Sequence, residues 1–479
     1  MARIVEIKRE VLRRVKPTRE EVERLRQLTM KILEIAAKHS ERYGYIGATP
    51  VGSTARGTWL KGDSDIDVFL LFPKDLTREE LGRKGLAAAR AILRDLNGKG
   101  ELKYAEHPYL SAKIEGYDVD LVPCYKIEPG ERIISAVDRS PLHNAYVLQN
   151  LDPSLRDEVR VLKQFCKGIG IYGSDLKTCG VSGYLCELLV IHFGKFENVI
   201  KNVANLKPVA IIDVSRRWFK SEDELRRYEK ELQEMFKGEP LIVIDPVDPK
   251  RNVAAALSCE NFAKFVTKAK EFLAAPSLDY FFPKKRPLTR REVELLKARE
   301  THFLGLRFRR PNIVDDVLYP QLRKTLRRLA TSMRIHGFEV IRKYEFVSER
   351  TGQVMLIFEL KYGKQPAIEK RVGPSIFVSP NREDFLRKYS SPPFGPYLEE
   401  DKLVVERETE FKTVEELLNQ RYLKLSPREL MAKGIPSEVA KALPKAKLIS
   451  GKTFFDLVER DGELSIFLRE KYIETRLGV

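Results

Sequence analysis

The sequence predicts a multidomain protein of α/β plus α class: a small mixed-sheet head, a helical neck, and a C-terminal α+β, ferredoxin-like body and tail. Three observations predict it. Strand and helix patterns alternate up to about Pro123, helical periodicity dominates from about Pro141, and an α-β-turn-β order follows a basic, Pro-rich junction. A chain of 479 residues, 43% hydrophobic, can bury a sizeable core and at ordinary domain sizes divides into several domains. The boundaries read as 1–140 for the head, 141–275 for the neck and 276–479 for the body and tail.

Each element has a local cause. Thr18 to Lys38 opens with a capping box, Thr18 and Glu21, and repeats Val22, Leu25, Leu28, Ile32 and Ile35 at helical spacing. A short extended stretch, a turn at Gly52 and Ser53, a short polar helix and a strand from about Ile66 to Phe72 come next. A helix over Arg78 to Leu96 precedes extended segments near Leu102 to Tyr104 and Ala112 to Ile114, and a strand over about Val119 to Pro123 closes the head. In the neck, Ser154 to Cys166, Gly183 to Phe193, Asp223 to Met235 and Cys259 to Leu273 fit helices. Beyond "AAPSLDYFFPKKRPLTRR", Gln321 to His336 is a helix with Leu322, Leu326, Leu329 and Met333 on one face. Two β-rich runs, Phe338 to Phe346 and Val354 to Leu360, flank a turn at Thr351 and Gly352. With a strand at Leu403 to Arg407 and a helix near Val414 to Asn419, they suggest a ferredoxin-like or RRM-like unit.

Charge and composition narrow the function classes. A net charge of +17, from 86 basic against 69 acidic residues, makes a polyanion the default partner. The excess is concentrated, because Lys284 to Tyr344 carries 17 Lys and Arg against 6 acids. Cys124, Cys166, Cys179, Cys186 and Cys259 are odd in number and form no C-x-x-C pair, which argues against a disulfide framework or a zinc knuckle. The apolar runs are too short to span a bilayer and no signal-peptide pattern opens the chain, so the expectation is a cytoplasmic protein with no membrane partner.

The chemistry concentrates in "VGSTARGTWLKGDSDIDVFLLF", Val51 to Phe72. Asp65 and Asp67 lie two apart, so on a strand they share one face while Ile66 and Val68 point into the core. Side-by-side carboxylates repel, and a Mg²⁺ ion, which takes carboxylate and phosphate oxygens, makes the pair tolerable. Asp120, in "GYDVDLVPCY", can supply a third carboxylate; Asp118 shares its face, and spacing alone does not separate the two, although the apolar strand follows Asp120 directly. Three acids can then hold two metals, one activating an attacking hydroxyl and one holding the triphosphate. Upstream, the Gly52-Ser53 turn offers backbone N–H groups and a hydroxyl to the β- and γ-phosphates, with Arg56 one turn later as a fixed charge. Singly, a Gly-Ser turn is usually just a turn and a D-x-D usually a solvated edge. The ordered set is far more specific.

These residues, with "YAEHPY", "DVDLVPCY", "SAVDRSPLH", "GIYGSDLKTCGVSGYLCELL", "IDPVDPKRNVAAALS" and, toward the C-terminus, "KRVGPSIF", resemble the archaeal (class I) CCA-adding tRNA nucleotidyltransferases of the DNA-polymerase-beta-like superfamily. The collinear blocks cover most of residues 45 to 275. The resemblance implies a nucleotidyltransferase head with Asp65, Asp67 and Asp120 as catalytic, metal-binding acids. Relatives often carry Glu at the first position, so Asp65 keeps the charge with a shorter reach. It further implies that Ser53 and Arg56 hold the triphosphate, that His143, Lys163 and Tyr172 complete an ATP/CTP pocket, and that Arg251 reads the base edge. Periodicity adds that Leu155, Val159, Leu162 and Cys166 form an apolar stripe beside a basic one, Arg156, Arg160, Lys163 and Lys167, from which Lys163 can reach phosphate; a solvated basic face is the competing reading. His143 and Tyr172 by themselves read as ordinary core or surface residues.

The implied activity is template-independent addition of C, C and A from CTP and ATP to tRNA 3′ ends, with Mg²⁺ and pyrophosphate release, in tRNA processing and repair. The basic C-terminal region would grip the acceptor and TΨC arms through their phosphates, and relatives imply a homodimer. Two alternatives remain at this stage. One is a poly(A) polymerase or other terminal RNA nucleotidyltransferase; the other is a catalytically dead RNA-binding protein on the same scaffold, against which the intact acids speak.

Overall fold

The computed structural model describes residues 2–104, 106–216 and 219–474. The chain divides into two compact units, Met1–Lys284 and Lys285–Val479.

The first unit begins with helices α1 (Ala2–Val15) and α2 (Arg19–Tyr43), the latter opened by the Thr18–Glu21 capping box and closed by Gly44 in the left-handed conformation. A five-stranded sheet follows, built from β1 (Gly47–Val51), β2 (Ile66–Phe72), β3 (Gly100–Tyr104), β4 (Pro108–Ile114) and β5 (Tyr117–Tyr125) in the order β1-β2-β5-β4-β3. Only β2 and β5 run parallel; the other neighbours are antiparallel. The short helix α3 (Gly52–Arg56) follows β1, and α4 (Arg78–Asp95), entered by a second capping box at Thr77 and Glu80, makes the crossover after β2. Ile66, Val68, Leu70 and Phe72 pack with Leu28, Ile32, Leu81 and Ile92 in one core. Val51, Phe69, Val122 and Cys124 form a smaller apolar layer on the opposite face. Strand alternation therefore puts Asp67 and Asp120 on that second face, clear of the main core.

Helices α5 (Arg139–Asn150), α6 (Arg156–Gly168), α7 (Gly183–Phe193), α8 (Phe196–Asn205), α9 (Glu222–Met235) and α10 (Cys259–Ala274) make the neck, with a small parallel pair β6 (Ala210–Asp213) and β7 (Leu241–Ile244). Phe165 lies at the centre of their core, with the rings of Phe196, Phe272, Phe281 and Tyr280 within 6.2 Å, centroid to centroid. Val11 and Val15 of α1 join this core, so the first helix packs on the neck although the sheet follows it in sequence.

The second unit contains α11 (Arg290–Lys297), β8 (His302–Arg309), α12 (Asp315–Ile335), β9 (Val340–Val347) and β10 (Gln353–Leu360). Next come β11 (Ile368–Ser375), α13 (Asn381–Lys388), β12 (Phe394–Glu399) and β13 (Lys402–Glu408). Then follow α14 (Val414–Leu418), α15 (Pro427–Ala432), α16 (Ser437–Ala442), β14 (Lys447–Ser450), α17 (Gly451–Arg460) and α18 (Gly462–Tyr472). The antiparallel sheet β14-β8-β10-β9, with α12 between its first two strands in sequence, is the ferredoxin-like arrangement. Two expectations need correction. The strand at Leu403 to Arg407 is β13 of a separate three-stranded sheet, β11-β13-β12, and the fourth strand of the ferredoxin-like sheet is β14. Helix α12 also begins at Asp315 and runs through Pro320, because Leu318 and Tyr319 are buried ahead of the proline.

Among the described residues, no helix is long and apolar enough to cross a membrane.

Replacing Phe165 by Ala should lower the stability of the first unit by about 3–5 kcal/mol, since the five-ring cluster cannot collapse onto the vacated volume. Chemical denaturation followed by near-ultraviolet circular dichroism would read this loss.

Candidate active site

The acids are brought together by the parallel pairing of β2 and β5, in which Asp67 stands opposite Asp120. Asp65 sits one residue before β2, its carbonyl accepting a 3.0 Å hydrogen bond from Thr54 Oγ1 of α3. Burial, and then the charges of Asp120 and Asp65, push the Asp67 carboxyl up to about 7, with Arg56 opposing the rise. Asp65 is also raised, by burial and by Asp63, Asp118 and Asp120. Between the two open candidates for the third acid, geometry favours Asp120. It is the register partner of Asp67 and lines the same cavity, whereas Asp118 is exposed opposite Lys113.

That cavity, of about 380 Å³, is lined by Gly52, Arg56, Asp67 and Asp120 together with His143, Tyr184 and the side chains of Phe69, Tyr109 and Val122. Gly52 has φ +84°, and a Cβ built on it would lie 2.5 Å from Asp67 Oδ2, so only glycine lets the Gly-Ser turn approach the acid this closely. Three polar atoms on the wall, Asp120 Oδ1, Arg56 Nε and Tyr184 Oη, are buried without a hydrogen-bond partner. Buried polar atoms are costly unless satisfied, so a ligand carrying both anionic and polar groups complements this cavity.

His143 and Tyr184 belong to a linked group. His143 Nε2 lies 2.8 Å from Asp245 Oδ2, which also takes a 2.7 Å ion pair from Arg251 Nη1, and the His143 ring stacks on Tyr184 at 4.2 Å. Burial lowers His143 even though Asp245 favours its charged form. Burial alone would raise Asp245, but His143 and Arg251 hold it below its ordinary value. Arg251 itself borders an adjacent cavity of about 530 Å³ with Arg139 and Lys250.

The basic stripe on α6 needs correction. Arg160 and Lys163 are buried, and they face the chain after α3: Arg160 Nε donates to the Trp59 carbonyl at 3.0 Å and Lys163 Nζ to the Thr58 carbonyl at 3.2 Å. A lysine in a close-packed interior is held by backbone acceptors and by a carboxylate, here Glu187 Oε1 at 3.7 Å. Lys163, Tyr172, Arg251, Ser53 and Asp65 are not among the residues that line this cavity, although Ser53 follows its Gly52 directly and Asp65 lies two residues before its Asp67. Sequence reasoning missed Tyr184, Glu187 and Asp245. Glu187 had a signal, a lone carboxylate inside the apolar run "GYLCELLVIHF", which a buried helix tolerates only with cationic partners.

Three family matches tile the chain: a nucleotidyltransferase domain over residues 29–143, the second domain of tRNA nucleotidyltransferases over 157–282, and the C-terminal domain of CCA-adding enzymes over 299–444. The CCA-adding enzyme of Methanosarcina acetivorans is 40% identical over 427 residues, covering 88% of this chain and 90% of the relative. Those of Haloarcula marismortui and Methanocaldococcus jannaschii are 42% and 38% identical, covering 76% and 86% of this chain and 77% and 90% of theirs. The chain belongs to the CCA-adding enzyme family. It is a nucleotidyltransferase, a class whose chemistry takes nucleotide substrates and a divalent metal.

The residues present fit such a metal. Asp120 Oδ1 is an unpartnered buried acceptor, and the raised Asp67 is a carboxyl that a cation would return to its charged form. Among the described residues, no three His, Cys, Asp or Glu side chains are gathered to hold an ion.

Two outcomes follow. In the metal-free protein Asp67 binds its proton more tightly folded than unfolded, so its own contribution to stability falls as pH rises from about 4 to about 7. The melting temperature relative to that of Asp67→Asn should decline across that range, and a divalent cation should remove the decline. Separately, Gly52→Ala should reduce kcat/KM by about a hundredfold through misplacement of the turn against Asp67, and should lower the melting temperature because alanine is strained at this φ; an unchanged kcat/KM would refute the role given to this close approach.

Proposed function

We propose that this chain adds C, C and A to tRNA 3′ ends, using CTP and ATP with Mg²⁺, through a site in which Asp65, Asp67 and Asp120 hold the metal. The observation that carries the reading is the Asp67–Asp120 register pair beside the Gly52-Ser53 turn, in a chain of the CCA-adding family. When bound, the metal supplies activation of the attacking 3′-hydroxyl and neutralisation of the departing pyrophosphate. The chain's own residues do the positioning. Ser53 and the turn's N–H groups receive the β- and γ-phosphates, and Arg56 covers them from the cavity wall. His143 and Tyr184 offer a stacked pair of rings to the base, and Asp245 holds Arg251 for the base edge. Lys163 and Tyr172, whose ammonium and hydroxyl meet at Gly183, complete the nucleotide site. Positioning and electrostatics supply most of the rate enhancement, as in other phosphoryl transfers.

The second unit grips the acceptor and TΨC arms through phosphate contacts, reading the shape of the A-form helix and not its sequence. Its support is the cationic density of Lys284 to Tyr344. The enzyme works in the cytoplasm as a homodimer, the state that the resemblance implies, and light scattering reads the mass directly.

The decisive experiment incubates the protein with Mg²⁺, a tRNA transcript lacking its 3′ CCA, and CTP and ATP singly and together, and sequences the products. CTP alone should add two C residues, both nucleotides should stop at CCA, and Asp67→Ala should lower the rate by about a thousandfold or more. Long A tails would reassign the chain to poly(A) synthesis. tRNA affinity should also fall steeply, by about a thousandfold, between low and moderately high salt; a salt-insensitive affinity would refute the phosphate-contact reading of the second unit.

A further inference from the structure

Between α3 and the neck lies a cluster with more cations than anions. Glu187, wholly buried on α7, receives Arg56 Nη2 at 2.9 Å on one oxygen; its other oxygen accepts from the Thr58 hydroxyl and lies 3.7 Å from Lys163 Nζ. Lys163 is 1% exposed and Arg56 8%. Two cations share one carboxylate in a dry environment, an arrangement that an arriving anion completes. Arg56 Nε is buried without a partner, and Arg56 lines the cavity. Gly183, one helical turn before Glu187, opens the same face of α7: a Cβ there would lie 3.5 Å from Lys163 Nζ and 3.1 Å from the Tyr172 hydroxyl.

We propose that Glu187 is a positioning residue for triphosphate binding, holding Arg56 of the head and Lys163 of the neck as paired cationic arms for one nucleoside triphosphate. This rests on the reading of Arg56 and Lys163 as triphosphate-binding residues. Glu187 touches neither substrate nor metal; it acts through the two cations. It also keeps Lys163 protonated. Burial pulls the Lys163 ammonium down, and the groups facing it are Glu187 and Cys186 from α7 and Asp63 from the segment before β2, which favour its charge, and Arg56 from α3, which opposes it.

The test compares the full-length enzyme with Glu187→Gln and Glu187→Asp for CTP addition to a tRNA lacking CCA, with CTP binding measured at equilibrium. For Glu187→Gln the CTP KM should rise about tenfold and climb further as pH is raised and Lys163, already lowered by burial, loses its proton, while kcat at saturating CTP stays within about twofold. Glu187→Asp, which keeps the charge but shortens the reach, should raise KM with a flat pH profile. A lowered melting temperature with the wild-type CTP KM at every pH would overturn the proposal and leave Glu187 a structural ion-pair partner. If Glu187→Gln does not fold, Glu187→Asp decides: a raised KM supports the proposal and an unchanged one overturns it. Arg56→Ala and Lys163→Met separate the two levels. If they raise KM and the Glu187 variants do not, only this inference fails; if they leave KM unchanged, the triphosphate reading beneath it fails.

Discussion

The parallel pairing of β2 with β5 is the constraint on which the site depends. In this register Ile66 pairs with Val119 and Val68 with Leu121, all buried, and the same register places Asp67 opposite Asp120 on the other face. A slip of one residue in either strand would turn that strand's acid into the main core and carry its apolar set out of it, so burial of that core fixes the acidic pair. The mutual repulsion of the carboxylates is thereby offset by hydrophobic packing on the far side of the sheet, where α2 and α4 cover it. Acids held against their own electrostatic preference form a site prepared for a cation.

The neck contributes buried cations. Arg160 and Lys163 of α6 turn inward and hold the carbonyls of Gly57, Thr58 and Trp59, the segment that follows α3. Two buried carboxylates organise the cations, Glu187 holding Arg56 and Lys163 and Asp245 holding Arg251. The aromatic core around Phe165 gives these helices a rigid seat.

Much of this was legible in the sequence because the signals were local. The Thr18–Glu21 capping box, the alternation in "IDVFLLF" and the turn at Gly52 each specify geometry within a few residues, and the structure has α2, β2 and α3 at those places. The ferredoxin-like sheet was only partly legible. Its helix and hairpin carried periodicity, but β8, "HFLGLRFR", is broken by a glycine and β14 is four residues long, so neither stands out from its surroundings. The run at Leu403 to Arg407 had a clear strand pattern, yet pattern does not say which sheet a strand joins.

The sequence by itself determined which residues are acids, where the strands that bear them begin, and that the C-terminal half carries a concentration of positive charge, because each is a property of nearest neighbours along the chain. Tertiary structure alone decided that Asp120, ahead of Asp118, faces Asp67, that Lys163 lies buried against Thr58 and Glu187, and that His143, Tyr184, Asp245 and Arg251 meet. These residues are separated by up to about a hundred positions, and no periodicity encodes their meeting. Long-range contacts are set by how whole helices and sheets pack, so the partner of a buried charge becomes visible only once the packing is known.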